Sequence, residues 1–255
     1  MQVSDKLTEM YAGYYDSDVA KKRAIAAAQT IAHIQDLLPQ RKFHDVVDIG
    51  AGEGAVLAEL DRAALADNLH ALEISPSGIE AIKRRGIASL RSVEAFDGYR
   101  IPAGDGAFDL GLAIHVLEHV EHERGFIAEI LRTCRLAYVE VPLEHTLRIE
   151  RSIRSSGQYG HINFYTPSTF RNILLTAGAR IQGFRTFSNS AAYEVFVGGR
   201  VAGRMKHGIR SFALRAAPQL APYFMTYLAG AVITASSPNA ETQAAGQGRV
   251  GIAGG

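Results

Sequence analysis

The stretch VVDIGAGEG, residues 46–54, constrains the fold more than any other part of this chain. A short apolar run is followed by Gly50, Gly52 and Gly54 and then by the apolar sequence 55–60. This pattern predicts a strand that turns sharply into a helix. Gly50 supplies the backbone freedom of the turn, and Gly52 leaves space for a ligand beside the main chain. The start of the helix then offers unpaired N–H groups to a polar ligand.

Short apolar runs and helical stretches alternate on both sides of this turn. Apolar residues between Ala24 and Leu38 recur at helical spacing, which predicts a first helix. The predicted strands are Asp45–Ile49, Leu69–Glu73, Ala88–Val93, Phe108–Ile114, Leu136–Val141 and Arg180–Phe187, and the predicted helices between them are Gly54–Leu65, Ser77–Arg85, Glu121–Cys134 and Ser168–Ala177. Such alternation favours an α/β fold with a mostly parallel sheet covered by helices on both faces.

The pattern changes after Phe187. Residues 191–222 are predicted to be helical, and residues 223–236 to form a last strand. The helical part is locally basic, with Arg200, Arg204, Lys206, Arg210 and Arg215. We therefore divide the chain into a helical lid (1–40), a ligand-binding core (41–190), a helical insert or cap with the final strand (191–236), and a tail (237–255). The tail has almost no large apolar residue, which predicts disorder.

Composition limits the environment and the partners of the protein. The 255 residues carry a formal net charge of +1, which gives no reason to expect a nucleic-acid partner. The single cysteine, Cys134, excludes an internal disulfide and fits a reducing compartment. The first residues lack the apolar core of a secretion signal, and the longest apolar stretch is too short to span a bilayer. A cytoplasmic protein without integral membrane segments is expected.

Glu73 lies at the end of the second predicted strand, about 19 residues beyond the turn. A carboxylate there can accept hydrogen bonds from both hydroxyls of a ribose, and it would repel a 2′-phosphate. The ordered motifs DIGAGEG, LEIS, FDGYRIPAGDGAFD and HVLEHV resemble class I S-adenosylmethionine (SAM)-dependent methyltransferases over roughly residues 43–187. The resemblance implies a Rossmann-like, seven-stranded methyltransferase sheet with helices on both faces and a small helical insert before the last strand.

The resemblance also implies a cofactor site for SAM. Asp48, Gly50 and Gly52 would surround the methionine moiety, and Glu73 would hold the ribose. Asp97 would read the adenine amino group, with Glu94 as the alternative, and Phe96 or Ile74 would stack on the ring. The expected site is completed by Ala51 in the turn, Ile114 and His115 at the end of the fourth strand, and Tyr15, whose aromatic face suits a sulfonium, in a lid before the first helix.

Histidines near the predicted strand ends are candidates for catalysis. His119 is a candidate general base for an acceptor that must lose a proton, and His145 and His161 lie in the loops expected to wall the acceptor pocket. The run HVLEH also matches the H-x-x-E-H motif of zinc peptidases, in which His115 and His119 would share a metal. Such a motif belongs inside a long helix, whereas here it follows a strand, so no metal is expected.

The predicted activity is methylation of a small molecule at a hydroxyl oxygen, such as that of a sugar, a polyketide or a lipid-linked intermediate. The alternatives are an NAD-dependent oxidoreductase or epimerase and a non-catalytic cofactor-binding scaffold. The glycine spacing G-x-G-x-G and the lack of a clear Y-x-x-x-K pair disfavour the oxidoreductase. The basic insert admits three interpretations: a cap for an acidic or phosphate-bearing substrate, a peripheral membrane-surface helix, and a solvated face or oligomer contact.

Overall fold

Seven strands form one sheet in the computed structural model, which describes residues 17–39 and 41–236. In chain order the elements are α1 (Ser17–Leu37), β1 (Phe43–Ile49), α2 (Ala55–Arg62), β2 (Ala66–Glu73), α3 (Pro76–Arg84), β3 (Leu90–Ala95), β4 (Phe108–Ile114), a 3-10 turn (Leu117–His119), α4 (Glu123–Thr133), β5 (Cys134–Leu143), α5 (Ile149–Tyr159), α6 (Pro167–Thr176), β6 (Ala179–Phe187), α7 (Ala191–Gly198), α8 (Arg200–Ala216), α9 (Ala221–Phe224) and β7 (Tyr227–Ala235).

The strand order is β3-β2-β1-β4-β5-β7-β6, with β1 to β5 parallel and β7 antiparallel to both its neighbours. The chain proceeds outward from β1 through β2 to β3, and then crosses to the other side of β1 to form β4. In open α/β sheets, ligands bind outside the carboxyl ends of the strands at such a reversal. The order therefore places a ligand site where β1 and β4 end.

Helices cover the sheet on both faces, because alternate residues of the strands point to opposite sides. On one face, Val47 and Val139 pack with α4 and α6 through Phe126 and Phe170. On the other face, side chains of β1, β2, β4 and β5 pack with α1, α2 and α3. The α/β class, the seven strands and the helical insert before the last strand are thus as predicted. No helix among the described residues is long and apolar enough to cross a membrane.

Several predicted element bounds differ from the structure. The third strand is Leu90–Ala95, two residues later than expected, and the last strand is shorter, because Ala221–Phe224 is helical. Ile149–Tyr159 forms a helix where the sequence indicated a polar loop. The insert is divided by Gly199, which has a positive φ of 79° and separates α7 from α8. The predicted tail lies outside the described residues.

Close packing of α7 against α8 depends on Gly203. A Cβ added there would collide with the carbonyl oxygen of Glu194 and would lie 2.5 Å from the Cα of Val195. Gly208, in the same helix, has nothing within 4 Å of an added Cβ. The two glycines therefore offer a matched pair for measuring how tightly the insert is packed.

We expect Gly203→Ala to lower the free energy of unfolding by about 1–3 kcal/mol, because a backbone shift is needed to relieve the overlap. Gly208→Ala should raise it by up to about 1 kcal/mol, because alanine favours the helix and nothing obstructs its methyl group. Urea unfolding of both variants tests this. Equal stabilities for the two variants would contradict the close contact between α7 and α8.

Candidate functional site

A cavity of about 630 Å³ opens at the carboxyl edge of the sheet, beside the ends of β1, β2 and β4. Its volume is within the range of small-molecule and cofactor sites. Of the residues predicted to bind or act on ligands, those that line it are Asp48, Gly50, Ala51, Gly52, Glu73, Ile74, Phe96, Ile114, His115 and His119. The topology of the sheet thus brings motifs from four separate strand ends to one cavity.

The Glu73 carboxylate faces the glycine turn. Its Oε2 accepts a hydrogen bond from the Gly52 N–H at 2.8 Å, and its Oε1 accepts from the N–H and the hydroxyl of Ser75, at 2.9 and 2.8 Å. The residue is only 5% exposed. Gly52 has a positive φ of 57°, and nothing lies within 4 Å of an added Cβ. The carboxylate and the open space above Gly52 therefore border the same volume.

Asp48 is the second carboxylate of this region. It lies near the end of β1, directly before the turn, and is only 2% exposed. Burial, and to a lesser extent the negative charge of Glu73, together raise the pKa of its carboxyl group to about 7. A cationic ligand in the cavity would favour the ionised form of Asp48. The floor of the cavity is thus suited to a positively charged group.

The helix α1 forms a wall of the cavity through Arg23, Ala26, Ala27 and Thr30. Arg23 is held in place by an ion pair with Glu53, at 2.9 Å. These wall residues were not singled out from the sequence, since the helical periodicity identified the helix but not the part of the sheet that it contacts. Tyr15 of the predicted lid lies outside the described residues.

A buried acid, Glu140 of β5, holds α1 on the sheet. Its carboxylate accepts a hydrogen bond from Thr30 at 3.1 Å and from Tyr138 at 2.5 Å, and lies 2.8 Å from Nδ1 of His33. His115, with a strained positive φ of 55°, lies on the cavity side of this group, 3.7 Å from Glu140. Two of the four contacts join residues more than 100 positions apart in the sequence.

His115 is cationic in this setting. Burial lowers its pKa, but the hydrogen bond to Glu118 at 3.2 Å and the charges of Glu118 and Glu140 outweigh burial and raise the pKa to about 9. His119 has the opposite character. Burial lowers its pKa below the ordinary value of 6.5, and the neighbouring His161 and His115 lower it further. One imidazole lining the cavity is therefore protonated at neutral pH, and the other is neutral.

His161 approaches His119 from the loop before α6. Their ring centroids are 4.8 Å apart in an edge-to-face arrangement. Burial lowers the pKa of His161, but its hydrogen bond to Glu144, at 2.7 Å, and the charge of Glu118 raise it overall. His161 does not line the cavity itself. It contacts the candidate base rather than the cavity.

Besides His161, two predicted site residues are not brought to the cavity. Asp97 is exposed, and its Oδ1 accepts hydrogen bonds from the backbone N–H groups of Tyr99 and Arg100, at 2.8 and 2.6 Å, so it stabilises a turn. Its neighbours Gly98 and Tyr99 line the cavity instead. His145 is exposed, and its backbone N–H donates a hydrogen bond to the carbonyl oxygen of Tyr165. The structure therefore does not bring Asp97 or His145 to the cavity, where the adenine contact and the catalytic position were expected.

The H-x-x-E-H motif is folded differently from a helical metal site. Its last three residues form a short 3-10 turn, and His115 is bonded to Glu118. Within the part of the chain that the structure describes, the donor atoms of Glu118, His119 and His161 lie within 4.8 Å of one another. A metal ion at this motif would be held by Glu118, His119 and His161, a set that does not include His115 of the peptidase ligand pair.

Comparison with known proteins assigns this arrangement to a family. A family model described as a methyltransferase domain matches residues 20–182, more than half of the chain. Norajmaline N-methyltransferase of Rauvolfia serpentina is 29% identical over 136 residues, which are 48% of this chain and 46% of that protein. The chain thus matches less than half the length of this curated relative.

Solved structures share the fold at low sequence identity. The methyltransferase in complex with the Trm112 activator from Haloferax volcanii has a TM-score of 0.61 at 17% identity, and the match covers 92% of this chain and 99% of that one. Geranyl diphosphate C-methyltransferase from Streptomyces coelicolor has a TM-score of 0.60 at 12% identity, with 82% and 76% covered. These likenesses establish the fold alone.

The fold, the cavity and the family match together define a methyltransferase domain. The chain belongs to the methyltransferase-domain family, among the class I SAM-dependent methyltransferases. This assignment favours the methyltransferase interpretation of the glycine turn over the NAD-dependent alternative.

The raised pKa of Asp48 predicts a pH dependence of stability. Because the folded-state pKa of about 7 exceeds the ordinary value of 3.8, the folded state holds this proton more tightly than the unfolded state between those values. The contribution of Asp48 to the free energy of unfolding therefore falls as pH rises from about 4 to about 7. Asp48→Asn should be more stable than wild type at pH 8, by about 2–4 kcal/mol.

Urea unfolding of both proteins at pH 5 and pH 8 measures this difference. The stabilisation should be clearly smaller at pH 5 than at pH 8, and it should vanish only below about pH 4, where the carboxyl group is protonated in both the folded and the unfolded state. A variant that is destabilised equally at both pH values would show that Asp48 is needed as a charged group in the ligand-free fold.

Proposed function

We propose that this protein binds SAM in the cavity at the carboxyl edge and transfers its methyl group to a small-molecule acceptor. The single observation that carries the proposal is that Glu73, Gly52 and Asp48 line one cavity, with the carboxylate of Glu73 facing the glycine turn. SAM supplies an electrophilic methyl group on a sulfonium. The S. coelicolor neighbour, which was solved with S-adenosylhomocysteine, supports the choice of ligand.

The lining residues suit the parts of this ligand. Glu73 would accept hydrogen bonds from the ribose hydroxyls, each contributing about 1.5–3 kcal/mol because the acceptor is charged. Asp48 would face the cationic methionine end of the ligand. Phe96 and Ile74 supply apolar surface for the adenine ring. Arg23 and Thr30 of α1 would close the site from above and reduce access of water to it.

His119 is the candidate general base. Its Nδ1 lies 3.1 Å from the Gly160 carbonyl oxygen, which can only accept, so Nδ1 carries the proton and Nε2 carries the lone pair. The low pKa of His119 keeps the ring neutral at pH 7. A base at this position serves an acceptor that must lose a proton as the bond to carbon forms, and a hydroxyl oxygen is such an acceptor.

Methylation of an amine nitrogen is the second candidate. It is favoured by the likeness to norajmaline N-methyltransferase, which covers 48% of this chain. An ammonium acceptor must also lose a proton before it attacks, so His119 would serve both reactions. Chemical analysis of the methylated product distinguishes them.

The cofactor site is tested by calorimetry with SAM, S-adenosylhomocysteine and NAD. Wild type should bind the first two and not the third. Glu73→Ala should weaken SAM binding by about a hundredfold, since two hydrogen bonds to a charged acceptor are lost. Gly52→Val should prevent binding, because its side chain occupies the open space.

Glu80→Ala is the matched control, because Glu80 is an exposed carboxylate on α3 away from the cavity. Its affinity for SAM should equal that of wild type. Wild-type affinity in both Glu73→Ala and Gly52→Val would refute the site. Binding without turnover on any acceptor would favour the non-catalytic scaffold.

The role of His119 predicts the pH dependence of turnover. Because the pKa of His119 is below 6.5 and the base must be neutral, kcat should rise with pH below that value and level off above it. His119→Ala should lower kcat by about 10²–10⁴-fold and abolish the dependence.

The acceptor for this assay is found by incubating labelled SAM with a metabolite extract and identifying the labelled product by mass spectrometry. His145→Ala is the control, since His145 lies outside the cavity, and it should retain wild-type kcat. Turnover by His119→Ala at the wild-type rate would reject the base. Loss of turnover on dialysis against a chelator would indicate a metal at Glu118, His119 and His161 instead.

A further inference from the structure

An unusual apolar stripe runs along α8. Val201, Met205, Ile209 and Phe212 are 81%, 63%, 55% and 73% exposed. Their spacing of four, four and three residues places them within about 80° of the helix circumference. A helix packed on a domain normally turns such a stripe towards the core. Here the opposite face, with Gly203 and Arg210, is the buried one.

The stripe is bordered by positive charge. The helix contains five Arg and Lys residues and no acidic residue. Lys206 and Arg210 form ion pairs with Glu194, whereas Arg200, Arg204 and Arg215 are exposed, and Arg204 and Arg215 lie within about 60° of the edge of the stripe. An exposed apolar stripe next to several cations is typical of helices that lie in the interface of an anionic bilayer.

The position of α8 connects this surface with the cavity. The insert leaves the sheet after Phe187, which pairs with Leu228, and returns at Tyr227, which pairs with Leu143 at the end of β5. The insert therefore lies at the carboxyl edge, as the cavity does. Of the twelve large apolar side chains that are exposed in the described residues, eleven lie in the two segments that leave this edge, 144–166 and 188–226.

We propose that α8 binds an anionic lipid surface, with Met205 and Phe212 inserted and the arginines at the headgroups. A second copy of this chain fits the surface less well, because pairing two such helices would bring the exposed arginines of one copy close to those of the other. A cap for a small polar substrate fits less well too, because it would not need an exposed apolar stripe. The proposed lipid binding does not rest on the proposed methyl transfer. Only its functional consequence, access of the enzyme to acceptors held in lipid, rests on it.

The test is sedimentation of the full chain with vesicles of phosphatidylcholine alone and of phosphatidylcholine with phosphatidylglycerol. Each arginine near an anionic surface contributes about fivefold in binding, so the three exposed arginines predict about hundredfold tighter binding to the anionic vesicles. Met205→Glu with Phe212→Glu should weaken that binding by at least about tenfold, because inserted apolar surface is lost. Arg204→Glu with Arg215→Glu should remove most of the preference for anionic lipid.

Leu175→Glu is the matched control, because Leu175 is also a large apolar residue that is more than half exposed, but it lies on α6. It should bind vesicles like wild type. Calorimetry with SAM and thermal unfolding show whether each variant is folded. The proposal is overturned if wild type does not bind anionic vesicles, or if the Met205 and Phe212 double variant binds as tightly as wild type. It is also overturned if wild type is a dimer that this variant dissociates while neither binds lipid.

Discussion

The hydrogen bond between the Gly52 N–H and the Glu73 carboxylate joins the ends of two neighbouring strands, and the site depends on it. It fixes the glycine turn after β1 relative to the carboxyl end of β2. A second carboxylate, Asp48, is buried beside it, and the two charges disfavour each other. Such a pair is costly in a ligand-free protein. It becomes favourable when a ligand supplies positive charge on one side and hydroxyl donors on the other.

A second polar contact sets the opposite wall of the cavity. Glu140 is fully buried in β5, and it binds Thr30 and His33 of α1. Removing one partner from such a network leaves a buried polar group unsatisfied, so the network disfavours other placements of the helix. The same carboxylate lies close to His115 and helps to keep it protonated. One acid therefore positions a wall of the cavity and sets the charge of a lining residue.

The sequence was informative where function depends on local backbone geometry. The turn at residues 50–54 and the carboxylate at Glu73 follow from strand ends and glycine spacing, so the fold class and the cavity floor were predictable. Contacts between distant segments were not predictable, because hydrophobic periodicity identifies a helix but not the part of the fold that it packs against. This is why Arg23 and Thr30 were missed. Asp97 was misplaced for a local reason: the turn at Gly98, with φ 87°, directs its carboxylate to backbone N–H groups.

The same reasoning explains why α8 presents an apolar face outward. Glu194 and Arg210 form an ion pair beneath the helix, and Arg210 also binds the carbonyl oxygen of Thr226. Such a pair adds little net stability, but separating it would leave a buried charge unpaired. Rotating α8 to bury its apolar stripe would require that separation. The exposed stripe is thus fixed by the polar contacts under it, and because β6 and β7 anchor the insert at the carboxyl edge, its position next to the cavity is fixed as well.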